Sequence, residues 1–87
     1  MSLDIDELKK KIIYRSNYRG TKEMDILLNS FVKDIINHLN DDELKNLFNL
    51  LNIDDNNLYK FKHGIQTEVQ ITENRISKMF KDYIYNK

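Results

Sequence analysis

The sequence predicts an all-α fold, a small five-helix bundle formed by one domain over residues 1–87. Apolar residues recur at steps of three and four along most of the chain, which is the spacing of one face of an α-helix. Proline is absent, and Thr, Asn and Asp stand where helices would begin. A chain of 87 residues is also close to the smallest that one hydrophobic core can hold together unaided.

The first two helices are predicted from two apolar stripes separated by a glycine. The first helix is predicted over residues 4–18 and the second over residues 21–39. Gly20 lies just past the first helix, where a left-handed backbone conformation is common. The alternative is that Gly20 is the N-cap of the second helix. The side chains predicted to face the core are Ile5, Leu8, Ile12 and Ile13 in the first helix and Met24, Leu27, Leu28, Phe31, Ile35 and Leu39 in the second.

Asn40 is predicted to begin the third helix. Glu43 follows it by three positions, the spacing of a capping box in which each side chain bonds the backbone N–H of the other residue. Asp41 and Asp42 then lie in the first turn, where carboxylates interact favourably with the helix dipole. The core residues of this helix are predicted to be Leu44, Leu47, Phe48 and Leu51.

Two short helices are predicted in the remainder of the chain. Asn52 or Asp54 begins the fourth helix, and Gly64 ends it. Residues 65–71 alternate apolar and polar side chains, but a lone strand would have no partner, so we predict an extended connection. Thr72 is predicted to cap the fifth helix. The inward side chains are predicted to be Leu58, Tyr59 and Phe61 in the fourth helix and Ile76, Met79, Phe80, Tyr83 and Ile84 in the fifth.

The composition excludes most kinds of catalytic and metal site. Without cysteine there is no disulfide, thiol nucleophile or thiolate ligand, and two glycines cannot form a glycine-rich phosphate loop. His38 and His63 lack metal-site spacing, and each is predicted near a helix C-terminus, where histidine interacts well with exposed carbonyls. Ser16, Ser30 and Ser77 have no glycine neighbours of the kind that surround a nucleophilic serine. We therefore predict no catalytic residue, no metal ion and no enzyme activity.

The hydropathy and the first residues predict a cytoplasmic protein that does not insert into a membrane. No apolar run approaches the roughly 20 residues of a membrane span. The opening segment MSLDIDELKKK lacks the apolar core of a secretory signal. Its acids at Asp4, Asp6 and Glu7 are untypical of a mitochondrial transit peptide.

The charges are unevenly placed, although the formal net charge is zero. Residues 8–22 carry six basic side chains and no acidic one. Tyr14 and Tyr18 are four residues apart in this segment. Arg15 and Arg19 repeat that spacing, so the two pairs form adjacent stripes on a helix. The segment is either a solvated helix face or a docking surface. As a docking surface it favours a protein over nucleic acid, because Tyr and Arg are enriched at protein interfaces and the net charge is zero.

Two segments carry a resemblance to a known family. The segment YRGTKEMDILL, residues 18–28, contains the pattern RGxxExDxxL, and LLNIDDNNLYKF, residues 50–61, is close to LLxxxDxxLxxW. Together they resemble the succinate dehydrogenase assembly factor 2 family, which includes the bacterial SdhE-type flavinylation factors. Phe61 stands where that family usually has tryptophan, and Tyr18 where it often has arginine. The resemblance spans about residues 8–64 and implies a small five-helix bundle.

The resemblance implies an assembly factor and not an enzyme. Members bind the flavoprotein subunit of succinate dehydrogenase, or of fumarate reductase, and promote covalent attachment of FAD to a histidine of that subunit. The reacting groups belong to the flavoprotein and the flavin, so this chain is expected to bind no cofactor stably. The free protein is expected to be monomeric. The residues implied in docking are Tyr18, Arg19, Gly20, Thr21, Glu23 and Asp25.

The motif residues also have individual structural explanations. Arg19, in the last turn of a helix, would interact favourably with the helix dipole. Glu23 would reach a free backbone N–H if Gly20 were the N-cap, and Asp25 would be one more acid near a helix N-terminus. The alternative function is a small helical regulatory protein. Such a protein would be either an antitoxin-like protein binder or a nucleic-acid binder acting through the basic first helix.

Overall fold

Five α-helices make up most of the chain in the computed structural model, which describes residues 4–17 and 19–84. No strand is present within these ranges. A short 3₁₀ helix, Ile36–His38, continues the second α-helix. The predicted all-α five-helix bundle is therefore confirmed. The helices are α1 (Ile5–Ser16), α2 (Lys22–Ile35), α3 (Asp41–Leu51), α4 (Asp55–Lys62) and α5 (Arg75–Asp82).

The N-terminal caps explain where the helices begin. The predicted capping box is confirmed, because Asn40 Oδ1 accepts from Glu43 N–H at 2.8 Å and Glu43 Oε1 accepts from Asn40 N–H at 3.2 Å. The predicted cap at Thr72 is wrong: α5 begins after Asn74. Asn74 forms reciprocal bonds of 2.9 Å with Ser77, and asparagine is the better N-cap residue.

Helix α3 holds the bundle together, since it packs closely against both α1 and α5. Helix α2 packs against α1, and α4 packs against α5. The ring of Phe31 lies edge-on to Phe80 and Tyr83, with centroids 5.5 and 5.2 Å apart, and this contact brings α5 onto α2. The fully buried core side chains come from every helix and include Ile12, Leu28, Phe31, Leu47, Leu58 and Phe80.

Three side chains predicted to face the core are exposed instead. Ile13 is 46% exposed because it lies one position around α1 from the buried stripe of Leu8 and Ile12. Tyr59 is 49% exposed on α4, next to the buried Leu58. Ile84 is 75% exposed because α5 ends at Asp82, so Ile84 no longer lies on the inner helix face.

Two predicted helix boundaries also differ from the structure. Helix α1 ends at Ser16 and not at residue 18, which lies outside the described residues. Helix α2 changes to the 3₁₀ helix at Ile36 and does not continue to Leu39, a tightening that is common at helix C-termini.

The segment between α4 and α5 contains no strand, as the sequence predicts, and it bends at residues 68 and 69. Gly64 ends the helix with a φ of 71°, a conformation that favours glycine. Asn57, which is buried, accepts a hydrogen bond from Glu68 N–H at 2.8 Å and so fixes the connection to α4.

Candidate docking site

Arg19 lies in the turn between α1 and α2 and is bonded extensively within the chain. Its Nε donates to Asp55 Oδ1 at 2.7 Å, and its Nη1 and Nη2 donate to the carbonyls of Arg15, Leu51 and Ile53 at 2.8–2.9 Å. The Arg19 side chain is only 11% exposed. These bonds connect the end of α1, the end of α3 and the start of α4. We call the Arg19–Asp55 ion pair, with these three carbonyls, the arginine clasp.

The chemistry of helix ends explains why an arginine is needed there. The last carbonyls of a helix lack intrahelical partners, and a guanidinium offers five N–H donors in one plane. Asp55 is the first residue of α4, a position where a carboxylate is favoured by the helix dipole. Arg19 thus satisfies carbonyls at the ends of α1 and α3 and pairs with the first residue of α4.

Gly20 is exposed and adjoins the clasp, because its backbone N–H donates to Asp55 Oδ2. A Cβ on Gly20 would lie 3.1 Å from that oxygen, so the close approach of the carboxylate is what favours glycine. The predicted left-handed conformation is wrong, since Gly64 is the only glycine with a positive φ in the described part of the chain. The alternative of an N-cap at Gly20 is also wrong, because Thr21 caps α2.

Thr21 and Glu23, two of the predicted docking residues, are exposed and lie at the start of α2. Thr21 Oγ1 accepts from Met24 N–H at 3.2 Å. Glu23 is therefore the second helical residue and not the third, and it forms no capping box. Within residues 4–17 and 19–84 its carboxylate makes no hydrogen bond or ion pair. Glu23 therefore offers a negative charge without a partner at the turn between α1 and α2. We call this turn, residues 19–23, the corner.

Asp25 and Tyr18 complete the set of predicted docking residues. Asp25 is half-buried beside a shallow depression that also contains Asn29 and Lys33. Its Oδ1 is buried and has no hydrogen-bond partner among the described residues. Tyr18 lies outside the described residues. The docking role of the six predicted residues stays a prediction, and the structure brings together Arg19, Gly20, Thr21 and Glu23.

A groove of about 420 Å³ opens next to these residues, between the start of α2 and the outer face of α4. The helices α2 and α4 are not among the closely packed pairs of the bundle, which leaves room for it. The groove is lined by Thr21, Glu23, Met24, Leu27, Asp55, Asn56, Tyr59, Lys62 and His63.

Lys62 lies at one side of the groove, and its ammonium donates hydrogen bonds to the end of α5. Its Nζ donates to the carbonyls of Phe80 at 2.8 Å and Lys81 at 3.3 Å, and also to the carbonyl of Tyr83. Partial burial lowers the pKa of Lys62 below its ordinary value of 10.5. Its ammonium lies 5.2 Å from the centre of the Phe80 ring. The ammonium of Lys62 thus makes its contacts within the bundle, with the end of α5.

Sequence reasoning assigned no docking role to Asp55, Tyr59 or His63, and it placed Tyr59 in the core and His63 near a helix C-terminus. Asp55 stands in the second segment of the family resemblance, but no spacing rule connects it to Arg19, from which it is 36 residues distant. Tyr59 on α4 and His63, the residue that follows the helix, are four residues apart, and their ring centroids are 4.3 Å apart. That helical spacing was the signal available for this pair.

The described residues offer no group of three or more His, Asp or Glu side chains that could hold a metal ion. Among the helices of residues 4–17 and 19–84, none is long and apolar enough to cross a membrane. What the site does offer is a hydrogen-bonded corner with an exposed carboxylate and an adjoining groove.

These features define a small helical bundle with an exposed corner and an adjoining groove. Comparison with known proteins identifies the family: a family model described as "Flavinator of succinate dehydrogenase" matches residues 10–84, and the chain belongs to this family. The family resemblance of the two sequence segments is thereby confirmed.

Two curated relatives carry the name "Succinate dehydrogenase assembly factor 2, mitochondrial". The one from Danio rerio is 27% identical over 85 residues, which are 95% of this chain and 54% of the relative. The one from Arabidopsis thaliana is 31% identical over 51 residues, 59% of this chain and 27% of the relative. The chain therefore spans about half, or less, of the length of these relatives. No solved structure matches the chain.

Proposed function

We propose that this chain binds the flavoprotein subunit of succinate dehydrogenase, or of the related fumarate reductase, and promotes covalent attachment of FAD to it. The observation that carries the proposal is the family match over residues 10–84. The corner between α1 and α2 supports the proposal, because the arginine clasp fixes its turn and Thr21 and Glu23 are exposed there. The two relatives named above are called succinate dehydrogenase assembly factors, which supports the same class of partner.

The corner residues divide into two roles on this proposal. Thr21 and Glu23 are exposed and contact the flavoprotein directly. Arg19 and Gly20 position them, because the arginine clasp fixes the turn from which α2 begins. A preformed corner loses little conformational entropy on docking, which favours binding.

The chain acts by orientation and supplies no reacting group. The bond joins the flavin to a histidine of the flavoprotein, so the docked corner lowers the barrier by holding these two groups in a productive arrangement. FAD is accordingly bound by the partner and not stably by this chain. We further propose that the chain acts in the cytoplasm and is monomeric when free.

Co-expression with a succinate dehydrogenase flavoprotein subunit tests the proposed function. We expect a complex that co-purifies and an increase of flavin fluorescence in the flavoprotein band of a denaturing gel. Glu23→Ala should reduce both, whereas Glu7→Ala, which removes an exposed first-turn acid of α1, should reduce neither. The proposal is overturned if the wild-type chain neither forms the complex nor raises the fluorescence above that of the flavoprotein alone.

A second candidate function is suggested by the outer face of α1. Tyr14 is 67% exposed there, among the exposed basic residues Lys10, Lys11 and Arg15. An aromatic side chain among cations can stack on bases while the cations contact phosphates. Binding of RNA or DNA that weakens steeply with added salt would favour this function.

A further inference from the structure

The groove between α2 and α4 has an apolar floor that the bundle leaves uncovered. Leu27 is half-buried, and Tyr59 is 49% exposed although it is one of the larger aromatic side chains. Met24 closes the inner side of the groove and belongs to the hydrophobic core. An exposed tyrosine above aliphatic side chains is a typical anchor point of protein interfaces.

Of the two carboxylates that line the groove, one has no hydrogen-bond donor among the described residues. Both oxygens of Asp55 already accept from Arg19 and Gly20, and Lys62 donates to the end of α5. Glu23 has no ionic partner in the part of the chain that the structure describes. The groove therefore presents a free negative charge beside an apolar floor. The complementary ligand is an apolar group with a neighbouring positive charge.

The groove is open at the surface and not an enclosed cavity. Thr21, Glu23, Asn56, Tyr59 and His63, more than half of its lining, are exposed. Small-molecule sites usually bury most of the surface of their ligand. A groove with this exposure is better suited to side chains that a partner inserts from above. It is also continuous with the proposed docking corner, because Thr21 and Glu23 belong to both.

We propose that this groove receives a surface segment of the flavoprotein in which a large apolar side chain is adjacent to a lysine or arginine. The apolar side chain contacts Leu27 and the ring of Tyr59, and the cation pairs with Glu23. His63, whose ring lies against Tyr59, holds that ring in position. The inference rests on the proposed function, since it names the chemistry by which the same partner is recognised.

Calorimetric titration of the flavoprotein subunit with this chain tests the groove. Tyr59→Ala should weaken binding by about tenfold, the effect of losing a central aromatic contact. Tyr14→Ala, the matched change at the exposed tyrosine of α1, should bind as the wild type does. Asn56→Arg keeps the apolar floor but places a cation in the groove, and it should weaken binding as well. Asn49→Arg, at an exposed position of α3, is its control.

The salt dependence of binding tests the charge. Glu23→Gln should weaken binding by a few fold and flatten its dependence on salt, because a rim ion pair is screened by ions. Glu7→Gln should change neither. Urea unfolding of each variant establishes that it is folded before binding is compared.

The outcomes separate the groove from the proposed function. If the wild-type chain does not bind the flavoprotein, the proposed function fails. If it binds, and Tyr59→Ala, Asn56→Arg and Glu23→Gln all bind equally well, the function stands and the groove is not the contact. A loss with Tyr14→Ala and none with Tyr59→Ala would place the contact on α1 instead. A concentration-dependent dimer of the free chain that Tyr59→Ala abolishes would mean that a second copy covers the groove. Either of these last two results would overturn the inference.

Discussion

Arg19 and Asp55 are 36 residues apart in the chain, yet Nε of Arg19 lies 2.7 Å from Oδ1 of Asp55. The two side chains are 11% and 15% exposed, so the pair is largely shielded from water. It joins the two segments that carry the family resemblance, residues 18–28 and 50–61, into one structural unit. The two segments that carry the resemblance therefore meet in the folded chain.

The first prediction concerns the stability that this pair provides. Asp55→Ala leaves the guanidinium of Arg19 with carbonyl partners alone, and the loss of a shielded hydrogen bond to a charged group should lower the free energy of unfolding by about 1–3 kcal/mol. Urea unfolding measures the change. Asp41→Ala is the matched control, because Asp41 is likewise the first residue of its helix but is exposed and makes no ion pair among the described residues. Equal losses in both variants would mean that the helix dipole, and not the pair, is responsible.

The second prediction concerns the space that Gly20 leaves for Asp55. In Gly20→Ala the new Cβ would lie 3.1 Å from Oδ2 of Asp55, a crowding that should cost roughly 1 kcal/mol. Alanine also stiffens the unfolded chain, which offsets part of that cost. The decisive quantity is therefore the double-mutant cycle with Asp55→Ala, in which the crowding disappears. We expect a coupling free energy of roughly 1 kcal/mol between Gly20→Ala and Asp55→Ala, measured by urea unfolding.

A control and a practical consequence follow from the geometry of the glycines. Gly64→Ala should also lower stability, through its φ of 71°, but with no coupling to Asp55→Ala, because nothing lies within 4 Å of a Cβ there. Zero coupling at Gly20 would contradict the account of that glycine.

If the coupling is present, bulky substitutions such as Gly20→Arg disturb the clasp as well as the docking surface. Loss of partner binding in such a variant then does not by itself locate the interface.

Much of the fold was predictable because its causes are local. The capping box of Asn40 and Glu43 depends on residues three positions apart, and the core stripe of α2 on steps of three and four. The errors occur where alternatives compete within a few residues. Thr72 and Asn74 are both N-cap types, and only the bond between Asn74 and Ser77 decides between them.

The site was less predictable because its causes are distant. The sequence marked Arg19, Gly20 and Glu23 through a family pattern, but it could not assign Arg19 to the interior of a clasp. That assignment depends on Asp55 and on two carbonyls near the end of α3, all more than 30 residues away. The groove depends on the loose packing of α2 against α4, which no local pattern encodes.

The third prediction concerns pH. The hydrogen bond from Arg75, and then that from Asn40 N–H, holds the pKa of Glu43 below its ordinary value of 4.5. A carboxyl whose pKa is lowered by folding stabilises the fold above its ordinary pKa, and that contribution is lost as the pH falls through the lowered value. The difference in urea midpoint between the wild type and Glu43→Gln should therefore shrink below pH 4.5.

Two comparisons make the pH measurement specific. Glu7→Gln removes an exposed acid that makes no ion pair in the described part of the chain, and its midpoint should follow that of the wild type. Arg75→Gln should reproduce most of the effect of Glu43→Gln. A midpoint difference for Glu43→Gln that stays constant from neutral pH into the acid range would show that its ionisation does not stabilise the fold.

The fourth prediction concerns the attachment of α5 to α4 through Lys62. Lys62→Met keeps the unbranched stem but leaves the carbonyls of Phe80 and Tyr83 without their common donor, and it should lower the free energy of unfolding by about 1 kcal/mol or more. Lys60→Met on the same helix breaks only an exposed pair with Glu68 and should change stability by less than about 1 kcal/mol. Hydrogen exchange should accelerate in the amides of α5 for Lys62→Met alone, because the lost bonds fix the end of that helix. Equal exchange rates in the two variants would mean that the packing of Phe80 holds α5 in place without the lysine.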